Sequence, residues 1–225
     1  MLKGKRVSIV IPTLDEGKNI AKVIKGVNEV LEGIDHEILI VDGMSTDSTV
    51  SIAKRLGARV IFDSVGKGHA LREGLAKAHG DILVSMDADL SNEPKELRLL
   101  IDSIDIGYDI CMGSRFITGG GTEDMPAIRK FGNKLFVTLV NLIFGSHYSD
   151  MCYGYRSFRK SAFKKLDLKE NGFGIETEIN INAAKKRLKV IEIPSNEKKR
   201  VAGEAKLRTF KDGATILKTI IKNVG

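Results

Sequence analysis

Tryptophan is absent from this chain, and other aromatic residues are few. Phe and Tyr together account for 6% of the 225 residues. Proteins that bind single-stranded RNA or DNA need aromatic side chains on which bases stack, interleaved with basic residues. The sequence has no such interleaving, so we expect no nucleic-acid partner despite a net charge of +7. The positive charge favours phospholipid headgroups or a phosphorylated small molecule as the anionic partner.

Cysteine and long apolar runs are also scarce. Cys111 and Cys152 lack metal-ligand spacing, and we interpret both as reduced residues of a cytosolic protein. No stretch reaches the roughly 18 apolar residues that a membrane span needs, so any membrane contact is expected to be peripheral. The first predicted strand is followed by residues 12–16 (PTLDE) instead of a glycine fingerprint, which excludes a dinucleotide-binding dehydrogenase.

The first half of the chain contains a regular alternation of β-branched runs and helical patterns. Strands are predicted over residues 7–11, 37–41, 59–62 and 82–86, and helices over 17–31, 45–56, 68–78 and 93–104. Strands without strict polar alternation, separated by helices, indicate a parallel sheet covered on both faces. We predict one α/β domain over residues 1–225, with Ser45 or Thr46 capping the second helix.

The second half is less regular. Residues 131–144 form a strongly apolar segment, either a core helix or an interfacial helix lying on lipid. Residues 210–224 are predicted to form a further helix.

Acidic side chains follow three of the predicted strands. Glu16, Asp42 and the pair Asp87 and Asp89 fall just after them, and parallel sheets bind ligands at the carboxyl ends of their strands. Two carboxylates held close repel each other unless a cation joins them. Oxygen ligands suit Mg²⁺ or Mn²⁺ bridging a diphosphate, so we predict a metal-assisted nucleotide site at this pair. The alternatives are helix-capping acids at Glu16 and Asp42.

Ordered motifs from residue 7 to residue 207 resemble a known family. Residues 7–16, 40–49, 66–68 and 86–90 are similar to the signatures of family-2 inverting glycosyltransferases with the GT-A fold. The later blocks resemble the dolichol-phosphate mannose synthase branch and its polyprenyl-phosphate relatives; they lie at residues 113–116, 129–133, 150–156 and 200–207.

The resemblance implies a fold and a set of site residues. The fold is a GT-A (Rossmann-like), mostly parallel sheet flanked by helices, with residues 1–106 binding the nucleotide sugar and a less regular acceptor half over 107–225. The implied nucleotide-sugar residues are Pro12, Leu14, Glu16, Asp42, Lys67, Asp87, Ala88, Asp89, Arg200 and Lys206. Asp87, Asp89 and Ser91 would hold Mg²⁺ or Mn²⁺. Asp89, Arg115, Arg129 and Asp150 would form the catalytic set, with the two arginines facing the acceptor phosphate.

Three positions limit these inferences. Many relatives have a second acid where this chain has Gly43, which weakens any inference about the nucleobase. Ser91 stands where the mannose synthases often have Gln, so water is expected to complete the metal shell. Lys67 has the alternative interpretation of a solvated loop charge.

The histidines point to the kind of acceptor. None of His36, His69, His79 and His147 occupies a position typical of a general base. A sugar hydroxyl needs such a base, whereas a polyprenyl phosphate is already ionised near neutral pH. Asp150 could be the base for a sugar acceptor, but we favour a supporting role in which it orients Arg129 or Arg156.

The predicted function is metal-dependent transfer of a hexose, most simply mannose from GDP-mannose, to a dolichyl or polyprenyl phosphate. The enzyme would be peripheral on the cytoplasmic face of a membrane. The alternatives are a soluble glycosyltransferase acting on a sugar hydroxyl, a transferase that uses a UDP-sugar such as UDP-glucose, and a non-catalytic nucleotide- or membrane-binding module.

Overall fold

The computed structural model describes residues 4–199 and 209–224. Its strands are β1 (Val7–Thr13), β2 (His36–Asp42), β3 (Arg59–Phe62), β4 (Ile82–Ser85), β5 (Ile110–Ser114), β6 (Gly121–Thr122), β7 (Arg156–Arg159), β8 (Val190–Pro194) and β9 (Asn196–Glu197). Its α-helices are α1 (Ile20–Val30), α2 (Thr49–Arg55), α3 (Lys67–Lys77), α4 (Leu97–Asp105), α5 (Ala127–Phe144), α6 (Lys160–Leu166), α7 (Ile175–Lys185) and α8 (Thr209–Lys222).

Seven of these strands form one mostly parallel sheet in the order β3-β2-β1-β4-β7-β5-β8. Strand β7 runs antiparallel to both of its neighbours, β4 and β5. Strands β6 and β9 form a separate parallel pair. The predicted α/β class with a mostly parallel, helix-flanked sheet is confirmed. Strands from residues 107–225 share this sheet with those of residues 1–106, and the functional division into two halves stays a prediction.

Helices cover both faces of the sheet and bury its apolar side chains. Ile9 and Ile11 of β1 pack in the cluster that includes α1 and α4, whereas Val10 packs with α3 and α7 on the other face. All three side chains are fully buried. Burial of each such side chain contributes about 1.5–3 kcal/mol, so central strands with apolar residues facing both ways are held firmly. This rigid sheet fixes the position of the loops at its carboxyl edge.

The second helix starts four residues later than predicted, and neither Ser45 nor Thr46 caps it. The amide and hydroxyl of Ser45 donate to Asp42, and the amide of Thr46 donates to Asp15. These side chains therefore build the turn between β2 and α2, and the helix begins at Thr49. The fourth predicted helix likewise divides into a short 3₁₀ helix, Pro94–Glu96, and α4.

The apolar segment predicted over residues 131–144 forms most of α5, which packs against α8. Gly145 ends α5 with a left-handed backbone (φ 64°), which glycine adopts without steric cost. Several apolar side chains of the two helices face outward: Phe131 is 70% exposed, Leu142 78% and Ile221 64%. Within residues 4–199 and 209–224, no helix is both long and apolar enough to cross a bilayer.

Candidate active site

A cavity of about 520 Å³ opens at the carboxyl ends of β1, β2 and β4. Parallel α/β sheets bind their ligands at this edge. Among the described residues, its wall includes the following predicted site residues: Pro12, Leu14, Glu16, Lys67, Asp87, Ala88, Asp89, Arg115 and Arg129. The fold therefore brings together side chains from distant parts of the sequence. Asp42, Ser91 and Asp150 lie behind this wall.

Asp87 and Asp89 stand on the loop that follows β4. The side chain of Asn92 accepts a hydrogen bond from the Asp87 amide (2.8 Å), and Asp89 accepts one from the Ser91 amide (3.1 Å). Leu90, which follows Asp89, has a left-handed backbone (φ 66°) that turns the loop sharply. These contacts hold both carboxylates at the cavity.

The acidic pair fits a divalent cation. Mg²⁺ is commonly bound by one or two carboxylates together with water and substrate phosphates. In the part of the chain that the structure describes, there is no group of three acidic, His or Cys ligands, so diphosphate and water would supply the others. Ser91 is buried and outside the cavity wall, and its carbonyl accepts the amide of Lys198. A metal-ligand role for Ser91 stays a prediction.

Lys67 begins α3 and points into the acidic loop. Its Nζ lies 2.9 Å from Asp87 Oδ1 and 3.6 Å from Glu176 Oε1. Burial alone would lower the pKa of Lys67, but the negative charges of Asp87 and Glu176 outweigh it and raise that pKa. The ring of Phe173 lies 5.8 Å from the same ammonium group. Lys67 is thus a charged group within the site, in contrast to the alternative of a solvated loop lysine.

Arg115 and Asp150 form a buried, two-point ion pair. Arg115 Nε and Nη2 donate to the two Asp150 oxygens at 2.7 and 2.9 Å, and Nη1 donates to Glu197 at 2.9 Å. The guanidinium also stacks 4.6 Å from the centre of the Tyr153 ring. Asp150 therefore orients Arg115 by direct hydrogen bonds, in place of the predicted Arg129 or Arg156, although its negative charge also favours the charged form of Arg156. Direct contact of Arg115 with an acceptor phosphate stays a prediction.

Arg156 is almost fully buried and is the first residue of β7. Its guanidinium donates to the carbonyls of Tyr153, Met151 and Glu176 and to the side chain of Asn180. Burial lowers the pKa of Arg156 from its usual value. Its donors are directed at the backbone around the cavity, so Arg156 supports the wall from behind.

Arg129 lies where α5 meets α8. Its Nε donates to the hydroxyl of Thr209 at 3.1 Å, and its side chain lines the cavity. Around it the wall becomes apolar, with contributions from Met125, Ile128, Phe136 and Ile216. One cavity thus has an acidic end near β4 and a second end near the two helices, where Arg129 lies among apolar side chains and Asp124 also lines the wall.

Asp42 lies at the end of β2 and is fully buried. Its carboxylate accepts the hydroxyls of Thr13 (2.9 Å) and Ser45 (2.6 Å) and the Ser45 amide (2.8 Å). The bond from its hydroxyl holds Thr13, and the Gly43 amide donates to the Thr13 carbonyl at 2.8 Å; both residues line the cavity. Contact of Asp42 with a nucleoside stays a prediction. The predicted diphosphate-binding residues Arg200 and Lys206 lie outside the described residues.

Sequence reasoning missed several residues that the fold brings to the cavity. Asp63 follows β3, so the rule that selected the other strand-end acids could have selected it too. Phe173 and Glu197 line the wall from segments far along the chain, a loop and the short strand β9, and no local pattern marks them. Cys152 lies within the motif at residues 150–156 but was not predicted as a site residue. Burial is the main cause that raises the pKa of the Cys152 thiol, and the negative charge of Asp150 adds to it, so that the pKa is about 12. Cys152 is therefore not a nucleophile at neutral pH.

The family model of glycosyl transferase family 2 matches residues 8–167, which is more than half of the chain. The chain belongs to glycosyl transferase family 2. The matched segment includes every strand-end loop that lines the acidic end of the cavity. The sequence-based assignment to family-2 glycosyltransferases is therefore confirmed.

Curated relatives of this glycosyltransferase include enzymes named for lipid-phosphate substrates. Dolichol-phosphate mannosyltransferase of Pyrococcus furiosus is 35% identical over 211 residues, covering 90% of this chain and 59% of that protein. Dolichyl-phosphate hexose transferase of Haloferax volcanii is 31% identical, covering 96% of this chain and 92% of that protein. Polyprenol monophosphomannose synthase of Mycolicibacterium smegmatis is 29% identical, covering 90% and 81%. The chain thus spans less than two thirds of the Pyrococcus relative.

Solved structures confirm the GT-A fold. Glucosyl-3-phosphoglycerate synthase from Mycobacterium tuberculosis, crystallised with Mn²⁺, UDP and glucosyl-3-phosphoglycerate, superposes with a TM-score of 0.79. The alignment covers all of this chain and 81% of that one at 22% identity. A second mycobacterial protein gives a TM-score of 0.82 at 19% identity, covering 100% and 76%.

Proposed function

We propose that this family-2 glycosyltransferase transfers a hexose, mannose from GDP-mannose in the first instance, to a dolichyl or polyprenyl phosphate. The reaction would take place at the cytoplasmic face of a membrane with Mg²⁺ or Mn²⁺ bound. The observation that carries the proposal is the single cavity in which an acidic pair, Asp87 and Asp89, faces Arg129 and its apolar neighbours. A charged donor and an amphipathic acceptor need these two environments side by side.

The acidic end is suited to the nucleotide sugar. Asp87 and Asp89 would hold the metal, which supplies positive charge to offset the charge that develops on the diphosphate. Pro12, Leu14 and Glu16 would line the nucleoside. Lys67 is held beside Asp87 by its two carboxylate partners, where its charge would face the donor diphosphate. Arg200 and Lys206 are proposed to add positive charge on the same side.

The acceptor step needs no general base. An ionised phosphate oxygen of the acceptor attacks the anomeric carbon, and the bond from that carbon to the donor diphosphate breaks, which inverts the configuration. The nucleoside diphosphate leaves with the electron pair. Asp150 is occupied by Arg115, and no histidine is among the described residues of the cavity wall. Both facts favour a phosphate acceptor over a sugar hydroxyl.

The lipid part of the acceptor is supported by the outward face of α5 and α8. Phe131, Leu142 and Ile221 are more than half exposed, and the two helices meet at Arg129, beside the cavity. Exposed apolar side chains on the helices that meet at Arg129 suit a phosphate carried on a long hydrocarbon chain. The dolichyl- and polyprenyl-phosphate names of the curated relatives support the same acceptor class.

The decisive assay follows radiolabelled sugar into a lipid that organic solvent extracts. GDP-mannose and UDP-glucose would each be offered with a short polyprenyl phosphate and either Mg²⁺ or Mn²⁺. We expect labelled lipid that depends on the acceptor phosphate and is reduced at least about 100-fold in Asp89→Ala. Asp102→Asn, an exposed acid on α4, is the matched control. Label that enters water-soluble sugar acceptors alone would overturn the lipid assignment, and full activity of Asp89→Ala would overturn the enzyme assignment.

Membrane contact is tested separately by vesicle flotation. We expect Leu142→Glu on α5 to lower the partition coefficient for anionic vesicles at least about tenfold, because one fully buried leucine contributes about 1.5–3 kcal/mol. Leu99→Glu on α4 is the control, since Leu99 is also exposed (52%) but lies on a helix away from the cavity. Equal flotation of both variants and the wild type would contradict a role for α5 in membrane binding.

A further inference from the structure

Glu176 is a carboxylate of the site that no motif of the sequence marks. It lies in the first turn of α7 with a nearly buried side chain, 3.6 Å from the Lys67 ammonium. Lys67 in turn lies 2.9 Å from Asp87. One ammonium group is therefore shared between a proposed metal ligand and a carboxylate that is outside the cavity wall.

The two carboxylates approach each other over Gly154. A side-chain carbon added at Gly154 would lie 3.4 Å from Asp87 Oδ2 and 3.6 Å from Glu176 Oε1, so both acids flank the same point. The backbone of Glu176 is fixed independently, because its carbonyl accepts a hydrogen bond from the buried guanidinium of Arg156 at 3.2 Å. The backbone position of Glu176 thus does not depend on the attraction between its side chain and Lys67.

The sharing has an electrostatic consequence for cation binding. A lysine paired with Asp87 alone would neutralise half of the acidic pair and repel a divalent cation. A third carboxylate beside that lysine restores the net negative charge of the group, while the lysine stays in reach of the donor diphosphate. Interactions of this kind over several ångströms in a partly buried site change binding constants by about tenfold per unit charge.

We propose that Glu176 is a positioning residue for the donor site. By sharing the Lys67 ammonium, it keeps Lys67 beside Asp87 without cancelling the charge that attracts the divalent cation. This inference rests on the metal-dependent function proposed above. It predicts that Glu176 controls metal affinity although it is not itself a ligand.

The test is the dissociation constant of Mn²⁺, measured by the electron paramagnetic resonance signal of the free ion at fixed ionic strength, without nucleotide. We expect Glu176→Gln to weaken Mn²⁺ binding on the order of tenfold and Lys67→Met to strengthen it by a similar factor. The double variant carries the wild-type local charge, so its dissociation constant should return to within about twofold of the wild type. A purely structural role would not produce opposite shifts that cancel.

Glu73→Gln is the matched control, because Glu73 lies on the same helix as Lys67 but pairs with Lys77 at the surface. Unchanged Mn²⁺ affinity in both single variants, or a loss in both, would overturn the inference. If circular dichroism shows that Glu176→Gln does not fold, the Mn²⁺ affinity of Lys67→Met still tests the inference. The Lys67 side chain is partly exposed, so its replacement is expected to leave the fold intact. Repeating the Mn²⁺ titration in the presence of GDP and of UDP separates the role proposed for Glu176 from the metal-dependent function proposed above. Wild type that binds no Mn²⁺ in any of these conditions would contradict the metal-dependent function itself.

Discussion

The buried pair of Arg115 and Asp150 makes the sharpest prediction about this molecule. Their side chains are 3% and 1% exposed, and two hydrogen bonds join them. Removing the charge from one partner leaves the other buried without full compensation, which costs about 3–5 kcal/mol. Asp150→Asn keeps the shape and one acceptor, and Glu197 still contacts Arg115. We therefore expect a loss near the lower limit, about 3 kcal/mol in the free energy of unfolding.

A loss of that size is easy to measure. For a chain of 150–250 residues each kcal/mol lowers the melting temperature by about 2–4 °C, so Asp150→Asn should melt about 6–12 °C below the wild type. The chain has no tryptophan, so unfolding is best followed by far-ultraviolet circular dichroism in urea. Asp167→Asn is the control: Asp167 pairs with Lys169 at 3.3 Å, both side chains are mostly exposed, and such pairs contribute about 0–1 kcal/mol.

The same variant separates the two chemical roles of Asp150. If Asp150 orients Arg115, kcat/KM falls but its pH dependence keeps the wild-type shape, because no proton moves through the carboxylate. If Asp150 were a general base, the fall in kcat/KM on the acidic side of the profile, which protonation of the base causes, would disappear. The reasoning is refuted if Asp150→Asn unfolds no more easily than Asp167→Asn, or if its pH profile loses that limb.

Three further outcomes follow from contacts around the cavity. Burial tends to raise the pKa of Asp63, but hydrogen bonds, among them one from the Val65 amide, lower it overall. The ionised Asp63 side chain therefore stabilises the folded protein above the pKa it has when unfolded, and this contribution is lost as the pH falls through the folded pKa. Asp63→Asn should flatten the fall of stability below about pH 5, measured by urea unfolding across pH. Asn92→Ala should weaken Mn²⁺–nucleoside diphosphate binding about tenfold in calorimetry, because the partly buried amide of Asp87 loses its acceptor. Gly68→Ala should lower the melting temperature, because its new carbon would lie 2.5 Å from a backbone carbonyl of the loop before α7.

The strand-end loops show how far sequence reasoning reaches. Apolar runs and helical periodicity located β1 to β4, and parallel strands place their following loops at one edge for reasons of geometry alone. Asp87 and Asp89 were therefore predictable as neighbours of Glu16, and the cavity contains all three. Ser45 and Thr46 illustrate the limit. Their residue types suit a helix cap, yet the nearby Asp42 and Asp15 offered stronger hydrogen-bond partners and moved the helix start to Thr49.

The sequence by itself determined the family, the parallel arrangement of the first four strands and the acidic centre of the site, because these depend on local patterns and ordered motifs. Tertiary structure alone decided which side chains share charges across the cavity. Asp150 pairs with Arg115, 35 positions away, and Glu176 meets Lys67 across more than a hundred residues. Such pairs form where the loop after β5, the loop before β7 and the first turn of α7 meet, and no local periodicity of the sequence predicts that these segments meet. They are brought together because antiparallel β7 is inserted between β4 and β5 in the sheet.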